Sequence, residues 1–148
     1  MSAHLLVDAS VAVKWLINEE HSDQADALLD ESNRQGWRLI CPPHFASEVI
    51  NVLYRRTQRK EPLFHVDLDI ADGALDAFFE TEFDVIWAEE LYRHAWFMAR
   101  EHKISTIDDA LYVALADLHA TPVWTADQRL VNTVGDTRLV RWIGDYER

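Results

Sequence analysis

The feature that most constrains this chain is a regular alternation of short apolar runs with longer amphipathic stretches. Apolar runs at residues 5–8, 38–41, 83–87, 122–125 and 139–143 read as strands. Between them, residues 9–20, 21–35, 45–59, 67–80, 89–103 and 107–119 read as helices. The helix period places Val11, Trp15 and Leu16 on one face, then Ala25, Leu28 and Leu29, then Val49, Val52 and Leu53, then Ile70, Leu75, Phe78 and Phe79. Gly36 stops the second helix, and Pro42-Pro43 ends the second strand. Residues 107–119 are apolar nearly all round, which predicts a deeply buried helix. Strands that alternate with helices predict a mainly parallel sheet with helices on both faces. In such folds ligands sit outside the carboxyl ends of the strands. Acids at strand ends are therefore the residues to follow.

Asp8 closes the first strand in Val7-Asp8-Ala9-Ser10, and Asp127 closes a later one in Thr125-Ala126-Asp127. Each has a second reading as the N-cap of the helix that follows. Glu48 lies on the helix after Pro43, three residues from Asn51, on a face that is either solvated or turned into a cleft. Asp109 opens the apolar helix. There Thr106-Ile107-Asp108-Asp109 also reads as a capping box, and Asp108 suits the helix's positive end. Adjacent acids on a helix point about 100° apart, so one of the two is expected to face a pocket. Taken together the four acids suit a hard divalent cation such as Mg²⁺, which prefers oxygen ligands and keeps several waters.

Other chemistries find little support. The seven histidines show no paired metal-ligand spacing and read as surface or cap residues; the four glycines form no phosphate loop. Trp15, Trp87, Trp96 and Trp124 sit in apolar segments and read as core. A single cysteine, Cys41, excludes an internal disulfide framework and suits a reducing cytoplasm. No apolar run is long enough to span a membrane, and no basic, cleavable leader follows Met1. The 148 residues fit one domain. The net charge of −12 repels a nucleic-acid backbone unless cations are held, and it attracts basic partners.

At this level of detail the chain resembles a known family. Val7-Asp8-Ala9-Ser10-Val11-Ala12-Val13-Lys14-Trp15 resembles the opening of a PIN domain, specifically that of the VapC toxins of bacterial and archaeal toxin–antitoxin pairs. Glu48-Val49-Ile50-Asn51 resembles the second acidic motif, Asp109-Ala110-Leu111-Tyr112 the third, and Thr125-Ala126-Asp127-Gln128-Arg129 the fourth. Asp108 departs from the pattern, since an aromatic often stands there. The resemblance implies a three-layer α/β/α PIN domain over residues 1–148. It implies an Mg²⁺- or Mn²⁺-dependent endoribonuclease whose catalytic and metal-binding residues are Asp8, Glu48, Asp109 and Asp127. Ser10 would hydrogen-bond within the site, and Asn51 or Thr125 would orient the acids. The expected partners are an RNA substrate, a cognate antitoxin and a second copy of the chain. Lys14, Arg55, Arg56 and Arg129 are candidates for backbone contacts to RNA. The competing expectation is a catalytically weak PIN fold that serves as a partner-binding module.

Overall fold

The computed structural model describes residues 3–148. Among the described residues, five strands are interspersed with seven α-helices: β1 His4–Leu6, α1 Ala9–Leu16, α2 Ser22–Gln35, β2 Arg38–Cys41, α3 Phe45–Gln58, α4 Leu68–Glu80, β3 Asp84–Val85, α5 Glu89–His102, α6 Ile107–His119, β4 Val123–Thr125, α7 Gln128–Val134 and β5 Val140–Trp142. A short 3₁₀ turn, Ile143–Asp145, follows β5. Every strand pairing is parallel. β1, β2 and β3 form one ladder, and β4 and β5 another. A bridge between Val7 and Trp124, with the Asp8 N–H donating to the Trp124 carbonyl at 3.1 Å, joins the two. The spatial order is therefore β3-β2-β1-β4-β5. The order reverses between β1 and β4, so the crevice expected of an open α/β sheet lies at the carboxyl ends of these two strands.

The core is the sheet and the helix faces pressed against it. Leu5 and Leu6 on β1, Val7 just after it, Ile40 on β2 and Val123 on β4 are buried, as is every residue of α6 from Ala110 to Ala116. α6 is thus the central helix that its all-round apolarity predicts. Gly36 caps α2 at φ 69°, a left-handed conformation in which a side chain would be strained.

Three local expectations are corrected. α1 ends at Leu16, a full turn earlier than the period suggests. Ser22 Oγ donates to the Ile17 carbonyl at 3.2 Å and accepts the Glu19 N–H at 2.9 Å, turning the chain out of the helix. On α4 the core face is Ala71, Ala74 and Phe78, while Ile70 and Phe79 face solvent. Trp87 and Trp96 are 68% and 62% exposed rather than core. β3 is a two-residue edge strand, and α5 turns Leu91, Ala95 and Met98 inward, so no element covers these rings. The sequence pattern does not mark helix α7, whose seven residues are too few for a periodic signal.

Candidate active site

The crevice is a cavity of about 270 Å³ lined by Asp8 and Ser10 after β1, Glu48, Asn51 and Arg55 on α3, and Asp109 and Tyr112 on α6. Three of the four acids singled out from sequence therefore meet on one wall. Asp127 stands at the end of β4, close enough to Asp109 for their charges to interact, but it is not part of the cavity lining. Asp108 is exposed and does not line the cavity, whereas Asp109 does.

The capping readings hold at the same time. Asp8 accepts the Val11 N–H at 3.4 Å, Thr106 Oγ1 accepts the Asp109 N–H at 3.2 Å, and Asp127 accepts the Arg129 N–H at 2.9 Å. A cap and a pocket acid are not exclusive. A strand that ends at a sheet's carboxyl edge and passes into a helix puts the capping carboxylate at the mouth of the crevice.

Asp8 is the most constrained acid. Ser10 Oγ donates to its Oδ1 and Thr125 Oγ1 to its Oδ2, both at 2.5 Å. The two hydroxyls are fixed in turn, because Ser10 Oγ accepts the Ala126 N–H at 2.9 Å and Thr125 Oγ1 accepts the Asp127 N–H at 3.0 Å. The turn after β4 and the turn after β1 are thereby laced together across the switch point. Burial pushes the Asp8 carboxyl up to about 6 against the pull of these hydrogen bonds, with Glu48's charge adding to the rise. Burial also raises Asp109, and Glu48, Asp127 and Asp108 raise it further.

Glu48 behaves oppositely. Burial opposes its ionisation, but contacts from His44 and Tyr112 hold it below the usual carboxylate range. Tyr112 Oη donates to Glu48 Oε1 at 2.7 Å. His44 Nε2 lies 3.2 Å from the same oxygen, near enough to pair by charge but out of line for a hydrogen bond. Burial lowers the His44 pKa, and the carboxylates of Glu48 and Asp108 more than reverse this. Sequence reasoning missed both supports. Tyr112 stands three residues after Asp109 and His44 four before Glu48, so each shares a helix-turn spacing with an acid; that was the available signal.

Among the described residues, no three carboxylates, histidines or cysteines form a ready-made cation cage. The donor set nevertheless fits a Mg²⁺-type ion. It is all oxygen, and such an ion is typically held by one or two carboxylates while keeping its own waters. Burial is the main cause of the rise at Asp8 and Asp109, the charges of neighbouring carboxylates add to it, and a divalent cation held here would favour the ionised form of both. A larger cleft of about 530 Å³, between Trp37, Phe83 and Glu82, opens at the amino ends of β2 and β3. Its Arg38–Asp84 pair is already matched, with contacts of 2.6 and 2.8 Å, and it lies opposite the switch point.

Fold and site together define an α/β protein with an oxygen-lined acidic crevice at its switch point. Residues 5–135 match the model of the PIN domain, and the chain belongs to that family. PIN domains are generally nucleases and typically use divalent metal ions, so the fold is of a nuclease type. No protein of curated function matches the chain significantly. Among the described residues, no helix is long and apolar enough to cross a membrane.

Proposed function

We propose that the chain is a Mg²⁺-dependent endoribonuclease, with Mn²⁺ able to substitute, acting as the VapC-type toxin of a toxin–antitoxin pair. The observation that carries this reading is the convergence of carboxylates from distant segments on one crevice of a PIN-family chain. Asp8 and Asp109 would hold the ion, with Glu48 and Asp127 completing the acidic ring. When bound, such an ion would supply positive charge to a phosphoryl oxygen and favour ionisation of the attacking water. Cleavage then leaves a 5′-phosphate and a 3′-hydroxyl. Ser10 and Thr125 fix both oxygens of Asp8. Glu48 is ionised at neutral pH, and the contacts from Tyr112 and His44 both go to Oε1. Oε2 is left to orient water or accept its proton.

Purified protein incubated with a mixed RNA pool is expected to cut it in Mg²⁺ or Mn²⁺ and not in EDTA. An intact pool in Mn²⁺ would favour the alternative, a catalytically weak PIN-fold module that binds partners outside a toxin–antitoxin system. Tyr112→Phe should lower cleavage about tenfold or more, as losing an orienting hydrogen bond does at metal sites. Its cost in stability should stay near 1 kcal/mol; cleavage at the wild-type rate would remove Tyr112 from the machinery.

The same reading includes a basic antitoxin tail directed at the acidic crevice, consistent with the net charge of −12. A neighbouring gene for a small DNA-binding protein is what the toxin role requires. It includes a homodimer, supported by the exposed Trp87, Trp96 and Phe97 and checked by sedimentation of the purified protein. It also places the protein in the cytoplasm, where a single buried thiol such as Cys41 stays reduced; fractionation of the cells checks this.

A further inference from the structure

A crevice lined by carboxylates needs cationic groups beyond a bound ion to hold a polyanion. Four basic residues stand near it in sequence, and the structure separates them. Lys14 is 8% exposed, and its Nζ is bound to Glu19 Oε1 at 3.1 Å and to the Glu20 carbonyl at 2.6 Å. Arg56 donates to Glu19 Oε2 and to the Phe64 carbonyl, both at 2.6 Å. Both side chains are committed to the scaffold. Arg129 is 95% exposed beside Asp127 and does not line the cavity. Arg55 alone of the four does.

Arg55 follows Glu48 by seven residues, so with Asn51 and Val52 it lies on the same face of α3, two turns away. Among the described residues its guanidinium has no carboxylate or carbonyl partner, although the chain carries a large excess of acids. Seven residues of helix separate it from Glu48 by roughly 10 Å along the axis. The free fork of donors therefore stands one step along the crevice from the acids. Its geometry matches the paired oxygens of a phosphate.

Building on the ribonuclease reading, we propose that Arg55 forms a backbone subsite. It holds a phosphate of the RNA that flanks the scissile one and sets the strand's path across α3. Arg55 is a positioning residue, since it grips the substrate away from the reacting atoms.

The test compares Arg55→Gln and Arg55→Lys with the unaltered protein in Mg²⁺. Arg55→Gln is expected to raise KM about tenfold, with a smaller change in kcat, and equally for substrates of different sequence. A fluorescent single-stranded RNA, bound by an Asp8→Asn background at rising KCl, supplies a readout independent of cleavage. There Arg55→Gln should flatten the salt dependence of log affinity by about 0.7, the value of one lost phosphate contact on a single strand. Arg55→Lys should restore most of that slope. Melting temperature, which a merely structural role would move, should not change. Unaltered KM and salt slope in Arg55→Gln would overturn the subsite while leaving the nuclease reading intact. A fall in kcat at constant KM would place Arg55 at the scissile phosphate and overturn it as well. Absence of any RNA cleavage or binding by the unaltered protein would remove the reading beneath it.

Discussion

Asp8→Asn is expected to abolish divalent-ion-dependent RNA cleavage, by at least about 100-fold, while the protein remains folded. The substitution removes a charged oxygen and little else. Asn is as good an N-cap as Asp, so α1 keeps the cap on its Val11 N–H. The amide oxygen still accepts from Ser10, and Thr125 Oγ1 can turn from donor to acceptor toward the new NH₂ group. Stability should rise rather than fall at neutral pH. The Asp8 carboxyl titrates near 6 in the folded chain against 3.8 ordinarily. Its favourable contribution is complete below pH 3.8 and is lost as the pH climbs through about 6. The loss amounts to about 3 kcal/mol. In EDTA, melting curves of the unaltered protein should therefore decline over this window relative to Asp8→Asn, and the variant should melt higher at pH 8. Adding Mg²⁺ at pH 8 should stabilise the unaltered protein more than the variant, because a ligand that binds only the folded state raises its stability. Undiminished Mg²⁺-dependent cleavage by Asp8→Asn would sink the assignment of the site.

The second large effect concerns the scaffold beneath α3. Glu19 neutralises two cations at once, Lys14 through Oε1 and Arg56 through Oε2, with side-chain exposures of 22%, 8% and 15%. Through these contacts it ties α1 and the turn after it to α3, the helix that carries Glu48 and Arg55. Glu19→Ala leaves two largely buried positive charges unpaired. Breaking a buried ion pair from one side costs several kcal/mol, and the partial exposure of Glu19 puts the expectation at the lower end, about 3 kcal/mol. For a domain of this size that is a fall of roughly 6–12 °C in melting temperature. Replacing all three residues together, Lys14→Met, Glu19→Leu and Arg56→Met, should recover most of it, since an apolar trio leaves no charge stranded. A Glu19→Ala variant that melts within about 1 °C of the unaltered protein would mean that water already compensates these charges. RNA cleavage should fall with Glu19→Ala only to the extent that α3 shifts.

The alternation of strands and helices is local information, and the sequence carried it well. The bounds of β2 and α6 are those the pattern predicts, and α3 and α5 differ by one residue at their ends. Exposure was less legible. Period shows which residues of a helix share a face, but not whether a neighbour covers that face. Trp96 on α5 and Phe79 on α4 are solvent-facing for that reason. The short α7 and the early end of α1 were illegible because one lacks enough turns for a period and the other is set by Ser22 from the next helix.

The four acids could be named from sequence because strand ends and family-like motifs mark them, yet each retained a cap as its alternative. By itself the sequence determined the parallel α/β layout, the placing of Asp8 and Asp127 at strand ends, and the oxygen-only chemistry of the candidate site. Only the tertiary structure decided that Tyr112 and His44 attend Glu48, that Asp127 stands outside the cavity lining, and that Arg55 is free while Lys14 and Arg56 are spent on Glu19. The reason is physical. Backbone periodicity is fixed by neighbours a few residues away, whereas charge pairing and burial act through space between segments that the chain brings together only when it folds.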